Sequence, residues 1–258
     1  MTKISVLLPN YNNGPYLKEA LDSVFAQTHQ NFIVYFVDDC STDNSVAIAE
    51  AYKDDRIVII RKSENTGIVD TMNKGLEKIN TKYFIRMDGD DLSDPNRFER
   101  LIQFMENNPD IGVCSSAIRY FGKESGVVIY EKNPEKNKAN LIFGHTIGHA
   151  SSIFRTAVLK ENNIKYQDRF WRMEDYYLFY QLKDMVKTSS ISDVLYLYRR
   201  GDYNNNKSLT DKKNQVFRGF YKMILEELGV EPTSERIEMH LELTKRTSPK
   251  HRYKNYRN

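Results

Sequence analysis

Tyr83-Phe84-Ile85-Arg86-Met87-Asp88-Gly89-Asp90-Asp91-Leu92-Ser93-Asp94-Pro95 is the stretch on which the reading of this chain turns. It begins as an apolar run suited to a buried strand and ends in four carboxylates. Like charges a few ångströms apart repel unless a cation sits among them. A positive partner is therefore expected at this strand end. It is either a hard divalent ion, which often takes only one or two protein carboxylates while substrate phosphate and water fill its other positions, or the Lys and Arg side chains of the fold itself. Gly89 is expected to let the backbone come close to a ligand. From Asp91 onward a turn and a helix start are expected, with Ser93 or Asp94 as N-cap and Pro95 at the first helical position. Those roles leave Asp88 and Asp90 unexplained, and for these two metal and diphosphate binding is the expected function.

Before that stretch, strand and helix patterns alternate. Residues 3–9 form a continuous apolar run closed by Pro9 and an Asn-rich turn, as in a strand buried on both faces. A helix is predicted from Pro15, with Leu17, Ala20, Leu21, Val24 and Phe25 on one stripe. Residues 32–37 read as a second buried strand ending in Asp38-Asp39, and Ser41-Thr42-Asp43 supplies cap residues for the next helix. A third strand over 56–60, a third helix over 67–79 and the strand over 83–87 complete the series. Alternation at this spacing predicts an α/β fold with a mostly parallel, Rossmann-like central sheet flanked by helices. In such sheets ligands bind beyond the carboxyl ends of the strands. Those ends here are Pro9-Asn10-Tyr11-Asn12, Asp38-Asp39, Glu64-Asn65-Thr66-Gly67 and Asp88-Gly89-Asp90-Asp91, all polar. No GxGxxG or P-loop pattern occurs among them.

Past a helix carrying Phe98, Leu101, Ile102 and Met105, the pattern changes. Residues 111–121 and 126–130 suggest a small antiparallel pair. A helix over 134–143, a loop over 144–150, a short strand over 151–154 and a helix from Thr156 follow. An aromatic-rich helix is predicted over 176–185, a last strand over 193–198, and helices over 215–228 and 234–244. This divides the chain into residues 1–200, which hold every polar strand end, and a C-terminal helical extension over 201–258 with a basic tail.

Composition adds bounds. With 258 residues, 40% hydrophobic and 28% charged, the chain is an ordinary globular one with room for a sizeable core. No apolar run reaches about 18 residues and the N-terminus enters a strand directly, so membrane spanning and secretion are not expected. Cys40 and Cys114 match no metal or redox spacing and are expected to be small buried hydrophobes. A cytoplasmic protein is the expectation. Lys245, Arg246, Lys250, Arg252, Lys254 and Arg257 form an acid-free tail, either a solvated end or a peripheral contact with anionic lipid at the inner face of a membrane. Aromatic and basic residues are not interleaved in the core, which argues against nucleic acid.

Glu174-Asp175 forms a second acidic element at a predicted helix start. Acids there complement the helix dipole. With Trp171 and Tyr176 as neighbours, a carboxylate is expected to have a raised pKa and to suit a general base for a hydroxyl. His145 and His149 lie on a Gly-bounded loop that could reach the same rim. A satisfied or solvated ring is the simpler expectation for each, and His149 with Trp171 are the candidates for acceptor contact.

Taken in order, Pro9-Asn10-Tyr11-Asn12, Val37-Asp38-Asp39-Cys40-Ser41-Thr42-Asp43, Asn65-Thr66-Gly67 with Asn73-Lys74-Gly75, Met87-Asp88-Gly89-Asp90-Asp91 and Trp171-Arg172-Met173-Glu174-Asp175 resemble the motifs of family 2 of the inverting glycosyltransferases, which have the glycosyltransferase A-type fold. The resemblance covers about residues 3–200. It implies metal-dependent transfer of a hexose-type sugar from a nucleotide sugar, favouring UDP, to a hydroxyl of a glycan or lipid-linked acceptor, as in cell-surface polysaccharide synthesis. It places Pro9, Tyr11 and Asp39 at the nucleotide base, Asn65 and Gly67 beside base and ribose, and Asp88 near ribose or sugar. Asp90 is placed on a Mn²⁺ or Mg²⁺ ion bridging the diphosphate, with Asp175 as general base and Glu174 beside it. Many members carry Ala-Arg-Asn where this chain has Thr71-Met72-Asn73, so an arginine is missing here and Arg86 or a C-terminal basic residue is its expected substitute. The alternatives are a sugar nucleotidyltransferase, whose Gly-rich basic N-terminal loop is absent from residues 9–14, and a non-catalytic sugar-nucleotide-binding module, against which the intact Asp88, Asp90 and Asp175 argue.

Overall fold

Side chains alternate between the faces of a strand, so a strand that is apolar at every position needs cover on both sides. Strand β1 (Ile4–Asn10) shows this directly: Ile4, Val6 and Leu8 enter one core and Leu7 the other, all fully buried. The same split sends Phe32, Val34 and Phe36 of β2 (Phe32–Asp38) to the first core and Tyr35 and Val37 to the second. Strand β4 (Tyr83–Arg86) divides likewise, Tyr83 and Ile85 against Phe84. With β3 (Ile57–Arg61) these strands run parallel in the order β3-β2-β1-β4. The computed structural model describes residues 2–170, 172–201 and 207–247, the side chains of 207–213 and 245–247 excepted.

Helices α1 (Gly14–Phe25), α2 (Ser45–Glu50) and α4 (Arg97–Asn107) cover the first face, and α3 (Ile68–Lys78) covers the second. Helix α3 lies so close on β1 that a Cβ at Gly75 would stand 2.1 Å from Leu7 Cδ1. The sheet continues from β4 through β8 (Ser152–Arg155) and β6 (Ile111–Gly122), both pairings antiparallel, to β9 (Lys187–Arg200), which runs parallel to β6. The predicted antiparallel pair is present as β6 and β7 (Gly126–Val128), joined to the parallel strands in one sheet. Among the described residues, helices α5 (Pro134–Asn140), α6 (Thr156–Glu161), α7 (Glu174–Leu182), α8 (Lys207–Glu227) and α9 (Ser234–Thr247) follow as expected in type. Helix α8 places Phe220 against Phe170, Tyr176 and Tyr180 at ring separations of 5.0, 4.7 and 5.5 Å, inside the second core.

The chain departs from expectation just after the acidic stretch. Leu92 and Ser93 form a short strand, β5 (Leu92–Ser93), antiparallel to β9, and α4 begins only at Arg97, with Asn96 rather than Ser93 or Asp94 at its N-cap. Tertiary bonds decide this: the Ser93 N–H donates to Ser23 Oγ, and Gln27 Nε2 donates to Ser93 Oγ. Cys114 is buried as expected, whereas Cys40 is only half-buried and adopts φ 59°.

Strand β4 carries the acidic end, and Phe84 anchors it by stacking on Phe154 at 4.7 Å with no exposed surface. Phe84→Ala is expected to cost about 3–5 kcal/mol, read from the shift in a urea unfolding midpoint. A loss under about 1 kcal/mol would show that this anchor is not needed.

Candidate active site

The ends of β1 and β2 are fastened to each other by short polar side chains. Asn10 Nδ2 donates to Asp38 Oδ1 at 2.8 Å, Ser41 binds the same carboxylate through Oγ and N, and the Thr42 N–H donates to Asn12 Oδ1 at 2.8 Å. This latch leaves the Tyr11 ring 48% exposed at the rim, while Pro9 is buried within β1. Asp39 is buried beside it. Its Oδ1 accepts from Lys62 Nζ at 2.5 Å and from the Thr66 N–H, and its Oδ2 from the Gly67 N–H at 2.9 Å. Three of roughly four acceptor positions on that carboxylate are thus used, leaving room for one more donor. Gly67 is required by its backbone, at φ 89°, and Asn65 is exposed next to it. Burial alone would lower the Lys62 ammonium, but its bonds to Asp39 and Asp70 hold it above its ordinary value. Met72, at the position of the missing arginine, is fully buried in the second core.

At the end of β4 the clustered acids meet buried arginines. Arg86 Nη2 lies 2.6 Å from Asp88 Oδ1, and Arg97, fully buried, donates to the carbonyls of Arg86 and Ala150. Burial presses the Arg97 guanidinium down to about 10, still cationic at neutral pH. Asp91 accepts from the Arg199 N–H at 2.7 Å. Burial, then the Asp88 and Asp90 charges, still raise Asp91 well above its ordinary value, and burial and then the Asp88 charge push the Asp90 carboxyl up to about 6. A Cβ at Gly89 would meet Asn13 Nδ2 at 2.9 Å and Asn10 Oδ1 at 3.2 Å, so this glycine lets the end of β4 pack on the chain's own β1–α1 loop.

Glu174 and Asp175 open α7. Burial, then the Asp175 charge, raises Glu174. For Asp175 the expected rise is not found: burial pushes it up, but the His145 and His149 rings together with backbone N–H bonds, that of Tyr176 among them at 2.7 Å, outweigh burial and hold it below its ordinary value. His145 Nε2 lies 4.0 Å from Asp175 Oδ1 and its ring 4.5 Å from that of Tyr176. His149 is partly buried, bonds Tyr166 Oη at 2.7 Å, and is pushed by burial down to about 4, so it is neutral at physiological pH. Trp171, expected beside the acceptor, lies outside the described residues.

One cleft of about 590 Å³ brings Asp88, Arg86, His145, His149, Glu174 and Asp175 together. Tyr11, Asp39, Asn65, Gly67 and Asp90 stand outside its lining, on the rim around the ends of β1 to β4. Composition and spacing had not singled out Lys62, Arg97, or the cleft-lining Tyr120, Tyr130 and Tyr198. The only trace of the last group is the Tyr-Leu-Tyr alternation at 196–198, which puts two tyrosines on one face of β9.

The model of glycosyl transferase family 2 matches residues 5–206. The chain belongs to that family. An uncharacterized glycosyltransferase of Methanocaldococcus jannaschii is 30% identical over 85% of this chain and 78% of its own length. A Bacillus subtilis protein named for teichuronic acid biosynthesis, the glycosyltransferase TuaG, is 35% identical over 40% of this chain and 41% of its own. Among solved structures, Staphylococcus aureus TarS in complex with UDP-GlcNAc superposes with a TM-score of 0.68 at 21% identity, covering 93% of this chain and 70% of that one. The Pyrobaculum calidifontis mannosyltransferase PcManGT, in complex with GDP-Man and Mn²⁺, gives 0.66 at 16% identity over 94% and 70%. The fold of this glycosyltransferase is therefore of the A type, a mixed sheet with a parallel core flanked by helices. Membership of the family sets aside the nucleotidyltransferase and the non-catalytic module.

A divalent cation fits the acids of this glycosyltransferase in one specific sense. Asp90 carries a charge that its surroundings disfavour, which a cation would relieve. Among the described residues no three His, Cys, Asp or Glu side chains are grouped to hold a metal by themselves, so the cation would take its remaining oxygens from substrate and water. An acid whose folded-state pKa exceeds its unfolded value costs stability at high pH. For Asp90 that cost is full above about 6 and fades as pH falls from there toward 3.8. It amounts to about 3 kcal/mol at most. Asp90→Asn is thus expected to raise the melting temperature of the ligand-free protein by several degrees at pH 7.5, with roughly half of that gain lost by pH 5. A gain independent of pH, or a loss, would contradict the charge argument.

Proposed function

We propose that this glycosyltransferase moves a hexose-type sugar, with inversion, from a UDP-sugar to a hydroxyl of a glycan or lipid-linked acceptor in cell-surface polysaccharide synthesis. The observation that carries this reading is that Asp88 and Asp175, from distant parts of the chain, line the same cleft. TarS with UDP-GlcNAc supports the donor, TuaG supports the polysaccharide context, and PcManGT with Mn²⁺ supports the metal.

The nucleotide base lies against the exposed Tyr11 ring, and Asp39 accepts from its N–H through its remaining lone pair. Asn65 and Gly67 flank the ribose, and Asp88, steadied by Arg86, faces ribose or sugar. A Mn²⁺ or Mg²⁺ ion held by Asp90 supplies positive charge to the diphosphate. Asp175, kept ionised by its lowered pKa, takes the proton of the acceptor hydroxyl. The acceptor oxygen attacks the anomeric carbon on the face opposite the diphosphate, and the bond to the diphosphate breaks with its electron pair leaving on phosphate oxygen. Glu174, protonated more readily than an ordinary glutamate, is suited to hold a sugar hydroxyl, with His149 beside the acceptor. Arg86, buried on Asp88 and lining the cleft, is the basic residue nearest to replacing the missing arginine in this reading.

Among the described residues no helix is long and apolar enough to cross a membrane. Contact of the basic tail with anionic lipid at the cytoplasmic face is part of this proposal. The side chains of Lys245 and Arg246, and residues 248–258, lie outside the described residues.

Asp175→Asn is expected to abolish sugar transfer, by about 10²-fold or more, while the dissociation constant for UDP changes less than about threefold. Isothermal titration with UDP and a donor-turnover assay on the same preparation separate the two effects. Turnover retained in Asp175→Asn would refute its role as base.

A further inference from the structure

The cleft has two chemically unlike walls. One carries the carboxylates and Arg86. The other comes from the mixed half of the sheet and carries three tyrosines: Tyr120 on β6, Tyr130 just beyond β7, and Tyr198 on β9. All three rings are partly exposed, and those of Tyr120 and Tyr198 meet edge-on at 5.8 Å. Tyr130 is seated against Gly148 so closely that a Cβ there would fall 2.6 Å from its Cε2. At the mouth, the Arg200 guanidinium lies 5.2 Å from the centre of the Tyr120 ring and 3.0 Å from Glu124 Oε2.

Such a wall suits one class of ligand. A pyranose ring offers an apolar C–H face, which lies well on an aromatic ring, and an edge of hydroxyls, which phenol, guanidinium and carboxylate groups can bond. An acyl chain would leave that polar mouth unmatched, at a cost for each buried polar group. The nucleotide base has its aromatic partner elsewhere, since Tyr11 stands outside the cleft lining. In-line displacement also requires the incoming hydroxyl to stand across the anomeric carbon from the diphosphate, near Asp175. Resting on the transfer reading above and extending it, we infer that Tyr120, Tyr130 and Tyr198 form the acceptor subsite and that its occupant is a saccharide ring.

The test uses methyl glycosides of the common hexoses, N-acetylhexosamines and hexuronic acids, with n-octanol as the apolar alcohol. Each is examined by saturation-transfer NMR on the full chain in the presence of UDP and Mn²⁺. At least one glycoside is expected to bind through its C–H face and octanol not to compete with it. Tyr198→Ala and Tyr120→Ala are expected to weaken that binding about five- to tenfold, and the Phe variants much less. UDP affinity, expected to stay within about twofold, reports that each variant is folded. No signal from any glycoside, displacement by octanol, or binding unchanged in both Ala variants would overturn the inference. Failure of UDP itself to bind the unaltered chain would instead strike at the transfer reading.

Discussion

The site depends on the neutralisation of charge at the end of β4. Asp88, Asp90 and Asp91 crowd one turn, and two buried arginines hold it in place. Arg86 pairs with Asp88, while Arg97 staples the carbonyls of Arg86 and Ala150, joining the parallel half of the sheet to the segment leading into β8. Removing Arg86 would leave Asp88 without its ion-pair partner, and removing Arg97 would leave two carbonyls without their donor. Asp90 and Asp91 both stay raised despite these cations, and Asp90 is the less buried of the two. A strand end with surplus negative charge is a poor element of stability and a good place for a cation-bound diphosphate.

The fold divides labour along the sheet. Its parallel half provides loops whose short polar side chains lock to one another, which sets Tyr11, Asp39 and Gly67 in fixed relation. Its mixed half contributes the loop bearing His145 and His149 and the tyrosine wall, while α7, on the second face, contributes Glu174 and Asp175. β4 adjoins both halves, through β1 and β8, which is why an acid at its end can face both.

Much of this was legible in the amino-acid order. The alternation through the first 95 or so residues announced a parallel sheet because strands buried on both faces read as unbroken apolar runs, as Ile4 to Leu8 do. Asp88, Glu174 and Asp175 stood out because charge at an element's end invites a chemical reason. What escaped was whatever tertiary contact decided. Ser93 looked like a helix cap but is taken by Ser23 and Gln27, and Asp175 is lowered in part by histidines that no spacing rule connects to it. Lys62 is anonymous in the sequence because its partners, Asp39 and Asp70, lie on other elements.

The central claim of the proposal is that Asp88 and Asp175 share one cleft with Asp90 at its rim, and that these acids divide the work, Asp90 toward the cation and Asp175 toward the acceptor. Diffraction at the manganese absorption edge, from crystals grown with UDP-GlcNAc and Mn²⁺, tests it most directly. The account predicts a single anomalous peak bonded to Asp90 and the diphosphate, with the sugar in the cleft and Asp175 facing it from the other side. A manganese peak on Asp175, or a nucleotide sugar bound away from the cleft, would contradict it.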